Sequence, residues 1–144
     1  MALHVAVFND HSSILRLMQF ILESGGYRST IHLQRLTSAE DVAELDPDLI
    51  VLGYFAGLDL TELGILNELR EHRKTAGKPI LIVTTLPQYV EQFLQENPFP
   101  NVTLLAKPFA GPLFLEAVRK ILKQPVVTAV GSSASDTNNG LVNG

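Results

Sequence analysis

Cysteine is absent from this 144-residue chain, and tryptophan with it. Without cysteine there are no disulfides, no thiol nucleophile and no Cys-ligated metal site, and the chain fits a reducing compartment. Basic runs are equally scarce. No Lys/Arg cluster is longer than Arg73-Lys74, and the net charge is −4. A nucleic-acid surface normally carries a basic stripe, so nucleic acid is not an expected partner. Long apolar runs are missing too: none approaches the ~20 residues that span a bilayer. The opening MALHVAVFND has no basic leader and reaches an acid too early for a signal peptide. The four histidines, His4, His11, His32 and His72, show no metal-ligand spacing. The expectation is a cytoplasmic chain without membrane association, and Asn101-Val102-Thr103, although a glycosylation sequon, is then inert.

Short apolar runs, by contrast, are plentiful. Leu3–Phe8, Leu49–Leu52 and Pro79–Thr84 are bare apolar runs that read as buried strands, and Val102–Ala106 reads as a fifth strand. Tyr27–Leu33 is less apolar and reads as an edge strand. Helical spacing fills the intervals. Asp10, Ser12 and Ser13 offer N-caps for a helix carrying Ile14, Met18, Ile21 and Leu22 and stopped by Gly25-Gly26. Ser38-Ala39-Glu40-Asp41 resembles a capping box that opens a short helix to Leu45. Leu60, Leu63, Leu66 and Leu69 give a third helix beyond a loop at Tyr54–Asp59. Pro87 fits the first turn of a fourth, with Val90, Phe93 and Leu94, and Leu113 or Phe114, Ala117, Val118, Ile121 and Leu122 mark a fifth that Pro125 breaks. Five strands alternating with five helices predict an α/β, doubly wound, three-layer domain with a parallel sheet over residues 1–124. Residues 125–144, rich in Ser, Asn, Gly and Thr without periodicity, are expected to be a disordered tail.

In such a sheet the ligand crevice opens at the carboxyl ends of the strands. Those ends carry Asn9-Asp10, Gly53, Thr84 and Lys107-Pro108-Phe109. Together with PDLIVLGY, ILIVTT and AKPF, this layout resembles the receiver domain of two-component response regulators, over roughly Leu3 to Lys123. AKPF after a strand is the more specific part, and PDLIVL is suggestive. The resemblance implies a flavodoxin-like, CheY-like fold with strand order 2-1-3-4-5. It also implies a site in which a carboxylate on strand three accepts a phosphoryl group from phosphohistidine. Mg²⁺ there neutralises the charge in transfer, held by oxygen ligands that include an acid from strand one. A hydroxyl on strand four and a lysine after strand five hold the phosphoryl oxygens, and the Lys-Pro peptide is often cis.

Carried over by position, the acid pair falls on Asn9 and Asp10, the acceptor on Gly53, the hydroxyl on Thr84 and the amine on Lys107. Two of three acids are therefore missing. The expected pocket is a degenerate phospho-acceptor site with no catalytic residue, weak or absent Mg²⁺ binding, only Asp10 as a residual metal ligand, and a direct Asp10–Lys107 pair. Asp10 also reads as a helix cap, and Thr84 and Thr85 as ordinary strand formers. Asp48 lies at the wrong end of its strand to replace the acceptor, and Asp59 lies beyond a loop. Leu104 or Leu105 occupies the position of the family's aromatic switch.

The functional expectation is a non-enzymatic pseudo-receiver: a phosphorylation-independent protein-interaction module of a two-component phosphorelay. Its partners would be signalling proteins such as a histidine kinase or a downstream effector, or a second copy of the chain. The partner face, by resemblance, is that of helix four, strand five and helix five, with Tyr89 and Phe99. Two alternatives stand beside it. One is a single-domain response regulator that accepts phosphate inefficiently at another residue; the other is a flavodoxin-like binder of a nucleotide or small anion. No Gly-rich phosphate loop supports the latter.

Overall fold

The computed structural model describes residues 2–33, 36, 38–55, 64–107 and 110–122. Ten elements alternate: β1 His4–Asn9, α1 Ser12–Ser24, β2 Arg28–Leu33, α2 Ala39–Leu45, β3 Leu49–Phe55, α3 Gly64–Glu71, β4 Ile80–Thr84, α4 Pro87–Glu96, β5 Val102–Ala106 and α5 Gly111–Leu122. All five strands are parallel, in the order β2-β1-β3-β4-β5. The expected doubly wound three-layer fold and strand order are therefore observed.

The bare apolar runs are central because both of their faces are covered. In β1, Ala6 and Phe8 join the core under α2, α3 and α4, with Val42, Leu66, Leu69 and Val90. Val5 and Val7 face the opposite way, toward Met18, Leu22, Phe114 and Val118 of α1 and α5. The same alternation in β3 sends Ile50 and Leu52 to the first core and Leu49 and Val51 to the second. A strand with no polar face is the sequence image of a sheet sandwiched between two helical layers.

Several boundaries differ from expectation for local reasons. The N-cap of α1 is His11, which makes no side-chain cap bond, so Asp10, Ser12 and Ser13 are not its caps. Instead the Asn9 side-chain Oδ1 accepts the His11 N–H at 2.9 Å. Ser38 does cap α2, accepting from the Glu40 N–H at 3.1 Å. Helix α2 ends in a left-handed Asp46 (φ 49°), a conformation short polar side chains tolerate. Strand β3 continues past Leu52 to Phe55, where a loop was expected. Its register with β4 shifts between Leu52↔Ile82 and Phe55↔Thr84, so three steps of β3 oppose two of β4. That extra residue is a bulge-like irregularity between Leu52 and Phe55, at the strand end that bounds the crevice. Leu60 and Leu63, Asp59, Pro108 and Phe109, and the tail 125–144 lie outside the described residues.

Candidate functional site

Gly53, Asn9, Thr84 and Lys107 are brought together at the carboxyl edge of the sheet. Asn9 ends β1 and is fully buried, as is Thr84 at the end of β4. Lys107 follows β5, and its backbone N–H continues the ladder to the Thr84 carbonyl at 2.8 Å. The Thr84 Oγ1 accepts the Leu86 N–H at 3.0 Å, which fixes the turn into α4. Asp10 points outward, with its Oδ1 3.6 Å from His11 Nε2, and both side chains are well exposed.

Two donors converge on one acceptor. The Gly53 carbonyl receives the Asn9 Nδ2–H at 3.0 Å and the Lys107 Nζ–H at 2.8 Å. A carbonyl oxygen has two lone pairs, so these two bonds fill its capacity. The ammonium, expected from sequence to pair with Asp10, donates to the Gly53 carbonyl, and the charge of Asp10 also acts on it. Burial lowers the Lys107 pKa from its usual value, while the negative charge of Asp10 pulls the other way.

The glycine leaves room for the Asn9 side chain. A Cβ at position 53 would lie 2.5 Å from Asn9 Nδ2, well inside the range of real contacts. The Asn9 carboxamide thus occupies the position from which a residue-53 side chain would project. Its orientation is fixed by chemistry, since Nδ2 must donate to the Gly53 carbonyl while Oδ1 accepts from the His11 N–H. An aspartate at position 9 has no hydrogen to donate to that carbonyl at neutral pH.

This donor set does not fit Mg²⁺, which takes six oxygen ligands in strict octahedral geometry. Gly53 has no carboxylate, its carbonyl is taken by two N–H groups, and Asn9 Oδ1 is engaged. Among the described residues no group of three or more His, Cys, Asp or Glu side chains converges. The pocket has no nucleophile at position 53, and the amine beside it is anchored.

The sequence matches no protein-family model and no curated protein. Solved structures match it in fold. Chemotaxis protein CheY4 of Vibrio cholerae superposes with a TM-score of 0.68 at 18% identity, covering 84% of this chain and 99% of that one. A response regulator from Desulfuromonas acetoxidans gives 0.68 at 16%, covering 84% and 97%. One from Burkholderia multivorans gives 0.62 at 19%, covering 89% and 100%. The chain has the receiver fold. At these identities the likeness is one of fold, and the function must be argued from the side chains.

On that fold the expected partner-face residues separate. Phe99 is 7% exposed and packs in the core under α2, α3 and α4, with the Arg70 guanidinium 4.6 Å above its ring. It cannot be a contact residue, because the segment between α4 and β5 folds inward to close the sheet. Tyr89 lies on the accessible side of α4, beside Gln92, Phe93 and Glu96. Beyond it, β5 is a sheet edge whose residues are partly exposed, and Leu105 with Leu113, Ala117 and Ile121 of α5 lines an open groove of about 450 Å³. The sequence reading missed this groove and also the donor role of Asn9. The signal for Asn9 was present as a buried amide and a glycine at neighbouring strand ends, but no side-chain pattern reports a bond to a backbone carbonyl.

Proposed function

We propose that this chain is a pseudo-receiver: a signalling module of the two-component type that works by protein contact and does not cycle through an aspartyl phosphate. One observation carries the reading. The place where a receiver-fold acceptor would stand is a glycine whose carbonyl is bonded by both Asn9 and Lys107. A phosphoryl group arriving there would find no carboxylate at position 53 to join, and a lysine ammonium already tethered to the strand end by one of its three N–H groups. The accessible edge made by β5, α5 and Tyr89 of α4 is the surface offered to a signalling partner. A histidine kinase, a downstream effector or a second copy of this chain are the classes to be tried. No enzymatic activity is assigned.

The test is phosphotransfer from a small acyl phosphate with Mg²⁺, read by intact mass. The wild type should gain no phosphoryl mass. Gly53→Asp should remain poor because Asn9 obstructs it and adds no charge, and Asn9→Asp/Gly53→Asp should be phosphorylated far better. A stoichiometric mass gain in the wild type would overturn the reading in favour of a working response regulator with another acceptor. Thermal stabilisation of the wild type by a nucleotide would favour the anion-binding alternative instead.

A further inference from the structure

The first two strands carry a second polar cluster, away from the strand ends. His4 of β1 is buried to 3% exposure, and its Nε2 lies 2.9 Å from Thr30 Oγ1 of β2. His32, two residues along β2, is half-buried, and its Nε2 lies 3.2 Å from the same oxygen. The His32 ring also stacks on Phe8, with centroids 4.6 Å apart and planes 17° from parallel. The register brings Ala6 opposite Thr30 and Phe8 opposite His32, so all three polar groups share the face of the sheet covered by α2.

One hydroxyl hydrogen thus serves two imidazoles. With both rings neutral, His4 Nε2–H donates to Thr30 Oγ1, and the hydroxyl donates onward to His32 Nε2. That leaves His4 Nδ1 as a bare lone pair, and it has no hydrogen-bond partner among the described residues. A proton added at His32 reverses the chain: His32 Nε2–H now donates, the hydroxyl turns toward His4, and the proton of His4 is forced onto its buried Nδ1. If His4 keeps its Nε2–H, the hydroxyl hydrogen is the one stranded. Either way one polar hydrogen loses its acceptor, at the buried His4 Nδ1 or at the half-buried Thr30 hydroxyl.

We infer that His4, Thr30 and His32 form an acid-sensitive latch that holds edge strand β2 to β1, closed by neutral imidazoles and opened by a proton taken up at His32. The half-buried ring at the sheet edge takes the proton first, and it is relieved by leaving Phe8 and carrying its charge to water. The surrounding charges set the threshold. Asp41 of α2 faces His32 and favours its charged form. Around His4, Arg28 and His32 on β2 oppose protonation, while Asp48 and Asp46 before β3 favour it. Asp46 is tied to Lys78 at 2.9 Å and Asp48 to the His4 backbone N–H at 2.7 Å. Burial is the leading cause that lowers both imidazole pKa values.

The experiment combines ring ¹⁵N spectra with amide hydrogen exchange between about pH 7.5 and 5. The wild type should show a proton entering His32 before His4. Exchange of β2 amides, corrected for intrinsic rate, should rise by about tenfold or more, while that of β4 amides stays unchanged. His32→Gln keeps an amide donor without a titrating group and should abolish the acid response. Thr30→Ser keeps the hydroxyl and should preserve it. Simultaneous titration of both rings in the wild type, constant β2 protection across the range, or an undiminished response in His32→Gln would each overturn the latch.

Discussion

Placing a methyl group at position 53 tests the geometry of the pocket directly. In Gly53→Ala the new Cβ meets Asn9 Nδ2 at 2.5 Å, whereas Asn9 Cγ at 3.5 Å and the Phe8 carbonyl oxygen at 3.7 Å leave it room. Ordinary contact begins at 3.4 Å, so the amide nitrogen must retreat by about 0.9 Å. Its bond to the Gly53 carbonyl, now 3.0 Å, cannot survive that retreat. The carbonyl keeps Lys107, but the buried amide N–H loses its acceptor, a loss of about 1–3 kcal/mol. Asn9→Ala forfeits the same bond and removes the acceptor of the His11 N–H, about 2 kcal/mol. In the double variant the methyl group at position 53 enters space that the Asn9 amide has vacated, and the clash disappears. The two substitutions should therefore be less than additive, with a coupling of at least about 1 kcal/mol. Urea denaturation gives the three differences, and thermal melts should follow at about 4 °C per kcal/mol for a domain of this size. Additivity within about 0.5 kcal/mol would refute the claim that Asn9 occupies the side-chain space of residue 53.

Three further outcomes follow from other contacts. Asn9→Asp sets a carboxylate oxygen against the Gly53 carbonyl oxygen. It should cost about 2 kcal/mol at neutral pH and recover in acid as the group protonates, measured by denaturation at a series of pH values. Phe99→Ala should destabilise by about 3 kcal/mol, and Tyr89→Ala by less than about 1, so that only Tyr89→Ala leaves a folded protein fit for partner-binding assays. Stability itself should depend on pH through His4 and His32. Both pKa values are lowered by folding, so the unfolded chain binds more protons below the ordinary value of 6.5. Stability is then full above about pH 6.5 and falls as the pH drops toward the folded-state values, by at most about 1.4 kcal/mol per pH unit for each ring. A flat profile in that window, or one unchanged in His32→Gln, contradicts it.

The sheet was legible because its signal is redundant. Three bare apolar runs, those of β1, β3 and β4, specify covered parallel strands, while the run of β5 forms a partly exposed edge. The site was legible at the level of residue identity, since Asn9, Gly53, Thr84 and Lys107 all sit at strand ends. Its bonding was not. That Lys107 donates to a backbone carbonyl is invisible in the sequence, because a carbonyl belongs to every residue and no side-chain pattern reports which one lies within reach. Phe99 was misread for a related reason: a lone aromatic between two prolines looks like an exposed loop residue until the chain path shows it turned under Arg70. The histidines lacked ligand spacing along the chain, and their pairing through Thr30 appears only across strands.

Charge alone would describe the pocket as a receiver site short of two carboxylates. Its hydrogen bonding says more. With glycine at position 53, the half-buried Lys107 and the strand-end carbonyl meet directly, in a bond of 2.8 Å. Asparagine in place of an acid on β1 supplies the second donor that this carbonyl can accept and fills the space that glycine leaves. Each substitution therefore makes sense only beside the other: an acid at position 9 could not donate, and a side chain at position 53 could not coexist with the amide. A site that had merely lost a nucleophile should regain chemistry when that nucleophile is returned. A site in which Asn9 and Gly53 fit each other should resist any single reversal, because Gly53→Asp first displaces the Asn9 amide that bonds the strand-end carbonyl. The order of activities, with the paired reversal well above either single one, is the signature that separates the two cases.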